Sequence, residues 1–295
     1  MFFILTKFRI FNSRKTQYLM LFKQKLLGLF ICLLVVSCAT NPFTGNQTMA
    51  LVSNDQLFPT SFQQYNQVLT ENKVITGTAD SEMIKRVGQR IATASERWLN
   101  ANGYEGYLKD YKWEYNLIQS EQVNAWCMPG GKIAFYTGIL PIAENETAIA
   151  TIMGHEVAHA LANHGQQRMS AAYIQQGLAL AGNVLIEDNQ TRDIFNQSYG
   201  IGSQVGVMLP FSRSHETQAD KIGLILMAVA GYNPEEAPEL WKRMEAASGG
   251  NAPPEFLSTH PANASRIENL NSLIPQAKAE AKKFGVTDYR PLGKY

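Results

Sequence analysis

The stretch Asn145–Leu161, NETAIATIMGHEVAHAL, decides how this chain is read. Ala148, Ile149, Ile152, Met153, Val157 and Leu161 recur at helical spacing and give an apolar stripe. On such a helix His155 and His159 stand one turn apart, about 40° around the axis and about 6 Å along it. Both imidazoles can then reach one cation. Glu156 lies on the neighbouring face, close enough to hydrogen-bond a metal-held water without ligating the metal. Zinc lowers the pKa of such a water from about 15.7 toward about 7, and a carboxylate beside it can carry the proton to a leaving amine.

A catalytic zinc site needs a third protein ligand and an open position. On a continuous helix His164, nine residues after His155, points to the opposite side. A metzincin extension is absent too, since Ala162 and Gly165 stand where its glycine and third histidine belong. The better candidate is Glu216, in Glu216-Thr217-Gln218-Ala219-Asp220. Glu216 and Asp220 share a helix face, and Gly223 one turn on permits close helix approach. Asp220 is then placed to accept the free ring N–H of a ligating histidine. His215 faces about 100° away from Glu216 and is read as non-ligating.

Working outward, the chain has 295 residues, 45% hydrophobic and 17% charged, with a net charge of +1. That length holds a substantial core, and the charge balance argues against a nucleic-acid partner. Lys23 and Lys25 precede an apolar run, Leu26–Val36, that ends in Ser37-Cys38. The pattern is that of an export signal, and the run is shorter than the roughly 20 residues a spanning helix needs. Val35-Val36-Ser37-Cys38 resembles a bacterial lipobox with Cys38 as the lipidated first residue. We expect 1–37 as signal peptide (1–19 read as upstream of a start at Met20), 38–52 as a lipidated polar tether, and 53–295 as one domain. Cys32 and Cys38 belong to the signal region, and Cys127, alone in the body, is read as a packed apolar side chain.

Within the body, Ser81–Leu99 carries Ile84, Val87, Ile91 and Trp98 at helical spacing. Tyr111, Trp113, Tyr115 and Leu117 alternate like a half-buried strand. Runs 123–128 and 132–136 flank Pro129-Gly130-Gly131, a turn signal for a hairpin. The expected class is α+β, mainly helical, with a small three-stranded meander beside the metal-binding helix. Residues 165–209 read as helical pieces with mobile connections, able to gate the cleft between the two ligand-bearing helices. Helices are expected from about Ser214 to Ala230, from Pro234 to Ala247, and after His260-Pro261, with a Gly/Pro loop at 248–254.

His-Glu-Val-Ala-His followed by Glu-Thr-Gln-Ala-Asp resembles the gluzincin peptidases, the zincin-type family of CaaX prenyl endopeptidases, HtpX and the periplasmic BepA- and LoiP-like metalloproteases. Asn124-Ala125-Trp126 with Pro129-Gly130-Gly131, Tyr136-Thr137-Gly138, Asn145-Glu146, Ser212-Arg213, and Ser258-Thr259-His260-Pro261 with Arg266 extend the likeness over roughly 40 to 275. The chain lacks internal spanning segments and a C-terminal repeat domain, so the short lipoprotein members are the nearer likeness. The resemblance implies one zinc on His155, His159 and Glu216, a catalytic Glu156, and Asp220 as support or proton donor. It also implies that the strand holding Asn124, Ala125 and Trp126 is a cleft edge that pairs with extended substrate. His260 is left open among an oxyanion donor, a reversible plug on the zinc and a structural hydrogen bond. Arg266 is expected to pair with a carboxylate such as Asp220.

The function expected is a zinc endopeptidase of the bacterial cell envelope, periplasmic and anchored at Cys38, with the outer membrane favoured by analogy. Its partners would be unfolded or misassembled envelope polypeptides. The competing reading is a zinc-stabilised chaperone or assembly factor that uses the peptide groove with little cleavage.

Overall fold

The computed structural model describes residues 38–186, 188–194, 196, 209–247, 255–261 and 264–291. The signal segment, the loop at 248–254 and residues 187, 195 and 197–208 of the expected gate lie outside them. Two three-residue strands, β1 (Cys38–Thr40) and β2 (Gln47–Met49), pair antiparallel. The expected polar tether is thus a docked hairpin. Asn41 is buried and its Nδ2 donates to the Ala162 carbonyl at 3.4 Å, and Phe43 stacks on Trp98 with ring centroids 4.4 Å apart.

Helix α1 (Asn54–Glu71) follows, then β3 (Val74–Ile75) and α2 (Ala79–Ala101). Every apolar position that marked α2 in the sequence is buried, including Ile84, Val87, Ile91 and Trp98. The strands β4 (Glu114–Ile118), β5 (Ala125–Met128) and β6 (Lys132–Tyr136) complete a sheet in the order β3-β4-β6-β5. This corrects the expected meander of three strands in two ways. A fourth strand, β3, adds to β4, and β6 inserts beside β4 in parallel, which sends β5 to the edge. The hairpin β5–β6 forms as expected, pairing Met128 with Lys132, and Gly130 takes a φ of +84 that only glycine adopts freely. β3 was invisible because two residues carry no alternation to read.

The helical half begins with α3 (Glu146–Leu161), capped by Asn145, whose Oδ1 accepts the Ala148 N–H at 2.8 Å. α4 (His164–Leu185) is one continuous helix where short pieces were expected. Its Ala, Gln, Leu and Met content favours helix, and Gly177 and Gly182 cost only about 1 kcal/mol each against that. α5 (Leu209–Val229), α6 (Glu236–Ala247), the short α7 (Glu255–Thr259) and α8 (Ala264–Lys283) follow. One apolar core joins α2, the inner sheet face, α3, α5, α6 and α8. The opposite sheet face packs Trp126 and Met128 with Ala134, Ile118 and Tyr65 of α1.

Candidate metal centre and active site

The site exists because α3 and α5 cross at two glycines. A Cβ on Gly154 would lie 2.8 Å from the Gly223 carbonyl oxygen, and one on Gly223 2.8 Å from Gly154 C and His155 N. Backbone therefore rests on backbone, and the residues one turn to either side face each other. His155 and His159 of α3 meet Glu216 of α5. Their Nε2 atoms are 3.1 Å apart, and Glu216 Oε2 and Oε1 lie 3.4 Å from His155 Nε2 and 3.2 Å from His159 Nε2.

The other ring nitrogens fix what those Nε2 atoms carry. His155 Nδ1 lies 3.0 Å from Asp220 Oδ1, so it bears the proton that the carboxylate accepts. His164 Nε2 is 3.4 Å from Gln218 Oε1 and donates to it, which leaves His164 Nδ1 bare. That atom is 2.9 Å from His159 Nδ1, which must then be the donor. In that tautomer both facing Nε2 atoms turn their lone pairs toward the Glu216 carboxylate, the arrangement that ligation of a cation requires. Ligand atoms of four residues, His155, His159, Glu216 and His260, converge here within 4.8 Å of one another, a group that could hold a metal ion. Bonds of 2.0–2.1 Å at the tetrahedral angle put ligand atoms roughly 3.3–3.4 Å apart, so the observed spacings fit zinc.

His260 stands in the fourth place of this cluster. Its Nδ1 is 2.9 Å from Glu216 Oε2 and 3.1 Å from His155 Nε2, and its Nε2 is 3.4 Å from Glu156 Oε1. Two cavities among the described residues, one touching His155 and one touching His159, measure about 10 and 20 Å³. That is room for about one water, not a peptide. His260 follows α7, whose Phe256 N–H donates to the Val123 carbonyl at 3.0 Å and so ties the helix to the start of the edge strand.

Burial raises the Glu156 carboxyl, and the Cys127 backbone N–H bonded to it pulls the other way. A carboxyl lifted toward neutrality suits a proton carrier. Burial opposes the charge on Asp220, but the Arg266 guanidinium and His155 outweigh it and hold the pKa down. Arg266 reaches Asp220 with two bonds of 2.8 and 2.7 Å and lies 3.6 Å above the Trp241 ring. The line Trp241–Arg266–Asp220–His155 thus fixes one imidazole. Burial holds His159 down, to about 3, so it stays neutral and ready to ligate.

His155, Glu156, His159, Glu216, Asp220, His260 and Arg266 are brought together. Asn124, Ala125 and Trp126 are placed along the sheet edge: Ala125 is buried toward α3, while Trp126 turns to the far face and donates to Tyr136 Oη at 3.3 Å. Its indole packs the sheet. Cys127 faces Glu156, and burial first, then that carboxyl, raises its thiol, which keeps it a poor nucleophile. The side chain of Cys38 is outside the described residues. His164 requires a correction. The helix does not continue through it; Asn163 takes a left-handed φ of 56, and the chain turns His164 back onto His159. Only the break makes that contact possible, and Asn163, a residue that tolerates the left-handed region after the last stripe position Leu161, was its local signal. His215 stacks on His164 with centroids 4.0 Å apart and lies 3.1 Å from Gln167 Oε1, away from the cluster.

Comparisons with known proteins agree with this geometry. A family model described as Peptidase family M48 matches residues 79–274. The chain is 35% identical over 175 residues to mitochondrial metalloendopeptidase OMA1 of Schizosaccharomyces pombe, covering 59% of this chain and 50% of that protein. Human mitochondrial metalloendopeptidase OMA1 is 26% identical over 277 residues, 90% of this chain and 52% of its own length. The beta-barrel assembly-enhancing protease of Escherichia coli K12 is 27% identical over 191 residues, 61% and 39%. The chain spans about half the length of these mitochondrial relatives.

Proposed function

This chain belongs to peptidase family M48, a family of zinc metalloendopeptidases, and from that premise we propose that it cleaves misfolded or stalled polypeptides at the bacterial cell envelope. The observation that carries the hydrolytic part is the convergence of His155 Nε2, His159 Nε2 and the Glu216 carboxylate within 3.4 Å, with the Glu156 carboxyl beside them. His155, His159 and Glu216 would hold one zinc. When bound there, zinc supplies Lewis acidity that polarises a carbonyl and acidifies water. Glu156 takes the proton of the attacking water and returns it to the leaving amine. Asp220 and His164 keep the two imidazoles in the ligating tautomer. The outer edge of β5 pairs with substrate backbone, which recognises an extended chain with little demand on sequence.

His260 acts as a reversible plug on this reading, because its Nδ1 fills the place a substrate would need. The envelope location rests on the exported character of Lys23–Cys38 and on the named role of the E. coli relative. The mitochondrial relatives share the hydrolytic half of the reading only. The test is Glu156→Gln, compared with wild type for metal content and digestion of an unfolded protein. Zinc should be retained and digestion should fall about 10²–10⁴-fold. Wild-type digestion by a zinc-loaded Glu156→Gln protein would overturn the mechanism.

A further inference from the structure

Helix α4 is buried only in its first two turns. His164, Gln166, Gln167 and Ser170 are buried, and beyond Ser170 no described residue of the helix is. What the second half exposes is apolar: Tyr173 is 52% exposed, Leu178 42%, Leu180 67% and Val184 74%. Tyr173, Leu180 and Val184, at i, i+7 and i+11, fall within about 40° of one another, so they form one stripe along the helix. No charged side chain occurs from Met169 to Ile186. An ordinary solvated helix face carries charges, and this one has none. Yet no helix among the described residues is long and apolar enough to cross a membrane. Gln175, Gln176 and Asn183 keep α4 below that mark.

The N-terminal hairpin supplies the second observation. Its exit is fastened to the base of this same helix, with the Leu51 N–H donating to Ser170 Oγ at 3.0 Å and Gln166 Nε2 to the Val52 carbonyl at 2.5 Å. The apolar run Leu26–Val36 ends two residues before β1 begins. On the attachment reading the lipid sits on Cys38, the first residue of β1, so the membrane is held at the hairpin whose exit is fastened to the base of α4. A tethered surface meets the helix at a far higher effective concentration than any free partner.

We propose that the second half of α4 lies in the bilayer interface, with Tyr173, Leu180 and Val184 seated among the lipids. Helices of this kind bury the apolar face about 5–10 Å into the boundary between headgroups and acyl chains. The proposal rests on the envelope-attachment reading and adds a second, peripheral contact to it. The peptidase domain would then sit on the membrane in one orientation rather than swing from a single point.

The test uses the full chain mixed with phosphatidylcholine vesicles, as wild type and as Val184→Trp, with digestion of an unfolded protein as the control for folding. Flotation is measured first. The added indole is then probed with bromine-labelled acyl chains and with aqueous iodide. The expected result is flotation, extra quenching of Val184→Trp over wild type by the brominated lipid, and none by iodide. Failure to float would sink the attachment reading and the proposal together. Flotation with the indole quenched by iodide alone would overturn the proposal and spare the attachment. Shielding from both quenchers would mean that protein covers the stripe, a second copy if the shielding falls on dilution, and would also overturn it.

Discussion

His155 and His159 are held at their Nδ1 atoms by different partners, and the difference is testable. Asp220 is a charged acceptor clamped by Arg266, whereas His164 is a neutral ring that accepts only while its Nε2 proton is given to Gln218. Outer partners of metal-binding histidines typically contribute 10–100-fold in affinity. His164→Phe keeps the ring volume and removes the acceptor, so zinc affinity measured by chelator competition should fall by about that factor. His164→Gln offers an amide oxygen and should recover part of the loss; equal affinity in all three proteins would show that His164 only packs. The pairing of His155 with His159 was legible in the sequence because helical spacing fixes it locally, whereas Glu216 was reached through its own Glu-x-x-x-Asp pattern on a distant helix. His164 and the Cys127 N–H were not, since one depends on the break at Asn163 and the other on where a sheet edge meets α3.

At the level of elements, the α3–α5 crossing leaves no space for a methyl group. Alanine at 223 would gain about 1 kcal/mol in helix propensity, but it would press on backbone atoms at 2.8 Å, and such overpacking costs typically about 1–3 kcal/mol. The strain falls beside the metal ligands, so Gly223→Ala should lower the thermal midpoint and weaken zinc binding together; an unchanged midpoint with full metal occupancy would contradict the close crossing. The start of α3 makes a different prediction. Burial would raise the Glu146 carboxyl, but hydrogen bonds from Arg86 and Tyr232 prevail and lower it. A carboxyl lowered in the folded state lends stability above its ordinary value near 4.5, and that stability is lost as pH falls through the folded value. Glu146→Gln should therefore destabilise the protein at neutral pH and flatten its urea stability profile below about pH 4.5, where wild type declines. Long amphipathic helices such as α2 were readable from their apolar period. α1 was not, because its buried residues, Leu57, Phe58, Ser61 and Tyr65, include two polar-bearing side chains and Pro59 interrupts the reading. The parallel β4–β6 pairing was also hidden, since it is set by long-range packing.

For the whole molecule, the described state is a closed one. His260 completes the ligand cluster, α7 is fastened to Val123, and the two cavities described at the histidines are too small for a peptide. His260→Ala should raise the digestion rate of an unfolded protein several-fold without lowering zinc content, whereas a fall in rate at full zinc would make His260 an assistant in catalysis. Composition and the ordered motifs made a mainly helical metallopeptidase domain legible, because those signals are local or collective. The folding of Cys38–Met49 onto the body was not, because its fastenings, Asn41 to Ala162 and Phe43 to Trp98, join residues far apart in sequence.

The glycine crossing has one further consequence, in time rather than space. His155 and Glu216 are 61 residues apart in sequence, on helices that touch only after both have formed. Closing so long a loop comes late and is opposed by chain entropy until the core repays it. A half-synthesised or partly folded copy therefore carries two histidines and no cage. Such a copy cannot yet assemble the cluster of His155, His159 and Glu216, so the metal site is gained only with the completed core.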